Sequence, residues 1–245
     1  MRPLIGIPPC LDEQGRWRPS REYHYADAAY ARAVTEAGGL PVYLPVQDDV
    51  DALADRLDGL LLPGGDDLPP DRAYPAGVVF DLVPARQVAF DRALLAAALE
   101  RDRPVLGICY GMQLLALHCG GALHFDIATD VPGAGEHRQS EPGARHPIDI
   151  ESQSHLGSLL GAAQGSVNSR HHQAVADAGR GRVTARCADG VVEAVELPGA
   201  RFALGVQWHP ESLDAAHRDR LFGGFVRACR PEAKPAGVGA KGPEY

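Results

Sequence analysis

The 245-residue sequence contains no CxxC pair, no run of lysine or arginine, no internal repeat and no apolar stretch of bilayer-spanning length. Its five cysteines, Cys10, Cys109, Cys119, Cys187 and Cys229, are odd in number and scattered. Neither a disulfide framework nor a zinc knuckle is indicated, and a reducing compartment suits them. With 24 basic against 32 acidic residues the formal charge is -8, which repels a phosphate backbone and argues against a nucleic-acid partner. The opening MRPLIGIPPC lacks the apolar h-region of a signal peptide, so no membrane association and a cytoplasmic location are expected.

What is present is an ordinary globular composition, 45% hydrophobic and 23% charged, in a chain long enough to bury a core without staples. One domain is expected over residues 1–230. The last fifteen residues, PEAKPAGVGAKGPEY, have no core-forming capacity and are expected to form a flexible tail over 231–245.

Short apolar runs rich in β-formers alternate with Ala/Leu/Arg-rich segments of helical period, at residues 4–7, 26–37, 41–44, 50–57, 59–62, 88–100 and 104–108. The alternation predicts βαβ units: an α/β fold with a mostly parallel sheet and helices on both faces. After a Pro/Gly-rich loop over 129–147, strand-like runs at 182–187, 191–197 and 202–208 are separated by Asp189-Gly190 and Pro198-Gly199. These predict an appended antiparallel section, closed by a helix over 214–229.

Chemistry concentrates at four places. Gly107-Ile-Cys109-Tyr-Gly111 runs from a buried strand into a helix and is the cysteine counterpart of a nucleophile elbow. The turn must be sharp, glycines on both flanks permit close approach of strand and helix, and the helix N-terminus faces the sulfur, a setting that favours a thiolate. Taken alone, the cysteine could equally be a small buried residue at a βα junction. A base decides, and the strand 202–208 ends in His209-Pro210-Glu211. His209 can take the thiol proton and return one to a leaving amine, Glu211 can orient the ring, and Pro210 stiffens the geometry between them. A strand terminus and a helix cap are the bland readings of the same two residues.

The run Asp58 to Pro63 ends in Gly64-Gly65 at the carboxyl end of a strand. The amides of Gly65 and Tyr110 are candidates for an oxyanion hole, against a plain βα turn. Finally, Val167-Asn-Ser-Arg-His-His-Gln173 gathers polar and ionisable side chains. It reads as a substrate loop, as a polar surface loop, or as a metal site on paired histidines. The sequence supplies no nearby ligand set for the last, so no metal is expected. His118, His124, His137 and His155 have no context that assigns them a role.

The elbow, the Gly205-Val-Gln-Trp-His209-Pro-Glu211 ending and the Leu62-Pro-Gly-Gly65 turn resemble class I glutamine amidotransferase domains. Ile5-Gly-Ile-Pro8, Ala37-Gly-Gly-Leu-Pro-Val42, Val167-Asn-Ser-Arg-His-His-Gln-Ala-Val175 and Asp189-Gly-Val-Val-Glu-Ala-Val-Glu196 narrow the resemblance to the γ-glutamyl-γ-aminobutyrate hydrolase group, peptidase family C26, over residues 3 to 230. The resemblance implies a flavodoxin-like core and hydrolysis of an amide between the γ-carboxyl of glutamate and an amine, without cofactor. It places Gln113, Ser169 and His171 near the glutamyl moiety. The group often has Arg after the nucleophile; Tyr110 is more like the elbow of some synthetase-linked glutaminase domains. The expected partner is a small-molecule γ-glutamyl amide, whose amine (γ-aminobutyrate, a polyamine derivative, another amine or ammonia) the sequence does not identify. A glutaminase subunit feeding a separate synthetase is the nearest rival, and a non-catalytic binding or regulatory protein on the same fold is a rival of another class. No interface is legible, and a homodimer is the common alternative to a monomer.

Overall fold

The computed structural model describes residues 1–13, 15–139, 141 and 143–230; the tail expected over 231–245 lies outside the described residues. The first half alternates as the periodicity predicts. Strand β1 (Leu4–Ile7) leads into a small hairpin, β2 (Cys10–Asp12) with β3 (Tyr23–Tyr25), which pairs with itself and not with the main sheet. The sequence does not reveal this hairpin, because three-residue strands carry too little alternation to register. Helix α1 (Ala28–Glu36) starts at Asp27, whose carboxylate accepts the Ala29 N–H at 2.8 Å. Then come β4 (Leu40–Tyr43), α2 (Val50–Arg56) capped by Asp49, β5 (Gly59–Leu62), α3 (Ala85–Glu100), β6 (Val105–Ile108) and α4 (Tyr110–His118). Helix α3 begins directly after Pro84, earlier than its apolar period suggests, because the ring pre-sets a φ that suits helix entry.

The second half holds β7 (Ala122–His124), α5 (Ile127–Asp130), β8 (His146–Ile150), α6 (His155–Leu160), β9 (Gln164–Val167), β10 (Ala174–Asp177), β11 (Arg182–Arg186), β12 (Val192–Glu196), β13 (Ala203–Val206), a 3-10 turn at Pro210–Ser212 and α7 (Ala215–Ala228). The main sheet runs β4-β1-β5-β6-β13-β12-β11-β8-β9. Pairing is parallel from β4 to β13 and antiparallel from β13 to β9, so the antiparallel section extends the parallel sheet edge to edge.

Both faces are covered. Ile5, Ile7, Leu61, Leu106 and Ile108 pack with Val34 of α1 and Phe222 and Phe225 of α7. Leu60, Leu62 and Val105, pointing the other way, pack with Leu94 and Leu95 of α3 and Leu114 and Leu115 of α4. Among the described residues no helix is long and apolar enough to cross a membrane. Strands β6 and β13 are parallel neighbours, Ile108 beside Val206, so the residues that succeed each strand emerge at the same rim.

Candidate active site

Cys109 is the residue between β6 and α4, and its backbone is at φ 51, ψ -105, a region that side chains other than glycine rarely occupy. Two bonds hold it there: its N–H donates to Val206 O at 2.8 Å and its carbonyl accepts Gln113 N–H at 3.1 Å. The flanking glycines have steric causes. A Cβ on Gly107 would lie 2.6 Å from the Gly111 carbonyl, and one on Gly111 would strike the Leu62 carbonyl. The helix therefore sits directly on β5 and β6, and the sulfur stands at its N-terminus, 8% exposed.

His209 follows β13. Its backbone is gripped by one side chain: His209 N–H donates to Asn168 Oδ1 at 2.8 Å, and Asn168 Nδ2 donates to His209 O at 2.9 Å. Its Nδ1 lies 2.8 Å from Glu211 Oε1 and 3.3 Å from the Tyr30 hydroxyl. Glu211 is buried in the 3-10 turn, and the cap of α7 is Asp214, so the reading of Glu211 as a helix cap does not hold. Burial works against the imidazolium. Hydrogen bonds to Cys109 and Glu211, and the charge of both, outweigh it and push the ring up to about 10.

Gly64 and Gly65 divide their work. The Gly64 N–H donates to the Tyr30 hydroxyl at 3.0 Å, and a Cβ there would lie 2.7 Å from His209 Cε1, so Gly64 makes room for the imidazole. Among the described residues the amides of Gly65 and Tyr110 find no acceptor. Both residues line a cavity with Cys109 and Gln113. The Tyr110 hydroxyl points away from it and donates to Asp91 Oδ2 at 3.0 Å. Desolvation raises this buried carboxyl to about 7.

The residues singled out in the 167–173 loop separate. His171 lines the cavity, with Nδ1 3.0 Å from Gln173 O. Ser169 donates to His137 O at 2.7 Å and lines a neighbouring cavity with Asn168 and Arg170. His172 pairs with Asp67 at 2.9 Å and Asp126 at 3.4 Å, and the hydrogen bond to Asp67 raises its affinity for a proton. The two adjacent rings thus diverge toward different partners.

Sequence reasoning overlooks three contributions. Gln207, fully buried, donates Nε2–H to Cys109 Sγ at 3.4 Å and accepts from Gln113 Nε2 at 3.4 Å. Its one sequence signal is a polar side chain in an otherwise apolar strand. Asn168 is visible in the sequence only as one polar residue among several. Arg138 and Arg170, joined by a β-bridge, face Asp66, Asp67 and Asp81 in the cavity walls, which thus carry both signs of charge beside the sulfur. A second cavity meets the first at Gly65, Asp66 and Arg170 and reaches His209 and Glu211 past Tyr25, Asp27 and Tyr30.

The arrangement can hold a nucleophilic sulfur, a proton carrier and two free amides around one reacting carbonyl. A family model described as Peptidase C26 matches residues 3–211. A Mycobacterium tuberculosis protein named "Putative glutamine amidotransferase Rv2859c" is 40% identical over 240 residues, 93% of this chain and 75% of that one. The Escherichia coli protein named gamma-glutamyl-gamma-aminobutyrate hydrolase PuuD is 37% identical over 244 residues, 93% of this chain and 94% of that one. Among solved structures, the glutaminase domain of Trypanosoma brucei CTPS with bound acivicin aligns with a TM-score of 0.63 at 17% identity, covering 92% of this chain and 93% of that one, a likeness of fold.

Proposed function

The chain belongs to the peptidase C26 family, and from that premise we propose that it hydrolyses γ-glutamyl amides, such as γ-glutamyl-γ-aminobutyrate, through a thioester on Cys109. The observation that carries the reading is a cysteine held at φ 51 within hydrogen-bond reach of a histidine whose other nitrogen meets a buried carboxylate.

Cys109 Sγ, its proton carried by His209, attacks the γ-carbonyl carbon, and the amides of Gly65 and Tyr110 receive the oxyanion. The tetrahedral intermediate collapses as His209 gives its proton to the departing amine, which leaves as the neutral molecule. Water then enters, His209 takes a proton from it, and attack on the thioester releases glutamate and restores the thiolate beside the protonated ring. Gln207 donates to the sulfur throughout, and Glu211 keeps Nδ1 engaged so that Nε2 faces the chemistry.

The cavity walls suit such a substrate. Arg138 and Arg170 can pair with an α-carboxylate, and Asp67 or Asp81 with an α-ammonium. The amine half would leave on the side of its proton donor, into the second cavity between Tyr25, Asp27 and Arg170. The name of the Mycobacterium relative favours a second reading, a glutaminase that passes ammonia to a synthetase.

Glutamate release from γ-glutamyl-γ-aminobutyrate and from glutamine, side by side, with Cys109→Ala as control, tests both. Preference for the γ-glutamyl amine supports a free-standing hydrolase, and glutamine as sole substrate supports the synthetase-linked reading. Undiminished turnover by Cys109→Ala would overturn the thioester mechanism.

A further inference from the structure

Next to the cavity wall formed by His171, four stretches of chain converge on the fully buried carboxylate of Glu193 in β12. Its Oε1 lies 3.3 Å from Cys187 Sγ, 3.4 Å from His171 Nε2, 3.7 Å from His137 Nδ1 and 3.7 Å from His146 Nε2. Cys187 Sγ is in turn 3.1 Å from His146 Nδ1.

The hydrogen bonds around this group set its tautomers. The Gln173 carbonyl can only accept, so the His171 proton it receives is on Nδ1, and a neutral ring turns its Nε2 lone pair toward Glu193. Asp189 Oδ2, 2.9 Å from His137 Nε2, places the His137 proton on that nitrogen and leaves Nδ1 as a lone pair. Ser169 Oγ, 3.4 Å from that Nδ1, already donates its hydrogen to His137 O. Several lone pairs therefore face one carboxylate in a buried space. His146 Nε2, His171 Nε2 and Glu193 Oε2 are all buried without a hydrogen-bond partner. An arrangement of acceptors facing acceptors calls for a cation among them.

The spacing is that of a metal's ligands. Donors about 2.0 to 2.3 Å from a tetrahedral ion lie about 3.3 to 3.8 Å from one another. One donor atom from each of His137, His146, Cys187 and Glu193 lies within 4.8 Å of the other three. The carboxylate on His137 and the backbone carbonyl on His171 are the outer partners that orient metal-binding imidazoles. Mixed nitrogen, sulfur and oxygen donors suit zinc rather than calcium or magnesium.

We propose that His137, His146, Cys187 and Glu193 bind one Zn²⁺ ion, with His171 Nε2 facing it from the substrate cavity. The Cys187 thiol loses its proton to solvent as the S–Zn bond forms. The site is structural. It ties β8 to the ends of β11 and β12 and, through His171, sets the wall of the cavity. Nothing in the proposed hydrolysis passes through it, so it stands or falls independently of that reading. Paired histidines are visible in the sequence, but the ligands come instead from positions 137, 146, 187 and 193, which only the folded sheet brings together.

The test is the full-length protein stripped by a chelator and titrated with Zn²⁺ alone and Co²⁺ alone, with zinc content measured first on protein from zinc-replete growth. About one zinc per chain is expected. Co²⁺ should produce the strong visible bands of a tetrahedral site and a near-ultraviolet thiolate band. Cys187→Ser should abolish the thiolate band, and Glu193→Gln should weaken Zn²⁺ binding by about 10-fold or more. Cys109→Ala should leave the band in place, which separates this cluster from the sulfur beside His209. Circular dichroism confirms that each variant is folded. Failure of the stripped wild type to take up either ion, or a thiolate band that survives Cys187→Ser and disappears in Cys109→Ala, overturns the proposal.

Discussion

Asn168 holds the backbone of His209 with both ends of its side-chain amide, accepting at 2.8 Å and donating at 2.9 Å. The clamp places the imidazole along the rim while Glu211 sets its rotation, so position and orientation have separate sources. Asn168→Ala is expected to lower kcat by roughly 10- to 100-fold, the scale of a misplaced catalytic group, while KM changes little. Steady-state kinetics beside thermal unfolding checks this. A kcat loss no larger than the fraction of unfolded protein would remove the clamp from the mechanism.

The His209 ring, pushed up to about 10, should carry a proton throughout the neutral range. Its folded value lies above the ordinary 6.5, so its contribution to stability is complete below that pH and is lost as pH rises through about 10. Because Cys109 is among the causes, Cys109→Ala should bring the ring down. An NMR titration of the His209 Cε1 proton in both proteins reads this directly, and a wild-type ring that loses its proton near neutrality contradicts it.

Asp91 is shifted in the same direction by a different cause. Desolvation raises its carboxyl to about 7, well above the unfolded value, so the protonated form is favoured in the fold and stability falls as pH rises from about 4 through about 7. Asp91→Asn keeps an acceptor for the Tyr110 hydroxyl and removes the buried charge. The variant should exceed the wild type by up to roughly 4 kcal/mol at pH 8 and lose most of that advantage toward pH 4. Denaturant unfolding at the two pH values measures the difference.

Gly64 and Gly77 make a matched pair. A Cβ on Gly64 would lie 2.7 Å from His209 Cε1 and 2.9 Å from the Tyr30 hydroxyl, whereas one on Gly77 meets nothing within 4 Å. Gly64→Ala is expected to reduce kcat/KM by about 100-fold through displacement of the imidazole. Gly77→Ala should be silent. Equal activity of the two variants would show that the His209 ring tolerates crowding.

How much of the fold the sequence makes legible depends on how local each signal is. The βαβ half can be read because apolar period and caps lie within single segments, and the cysteine elbow because strand, turn and helix are consecutive. His209 and Glu211 are legible as a pair two residues apart. Gln207 and Asn168 are not, since each acts across the sheet on a residue far away in sequence, Cys109 and His209 respectively. Ser169 shows the same limit: its hydroxyl bonds the carbonyl of His137, a partner 32 positions away that no local pattern reveals. The cluster around Glu193 depends on the antiparallel register of β8, β11 and β12, which turn residues hint at but do not specify.

The strand order gives the site a history as well as a geometry. β13 is the last strand among the described residues, yet it lies in the middle of the sheet, between β6 and β12. As the polypeptide leaves the ribosome, the segment carrying Cys109 emerges about a hundred residues before the one carrying His209, and β6 waits as an open edge. The seam between the parallel and antiparallel halves therefore needs β13 in place before it can close. The sulfur and the ring meet only where β13 lies beside β6, so a chain stopped short of β13 keeps Cys109 and lacks His209.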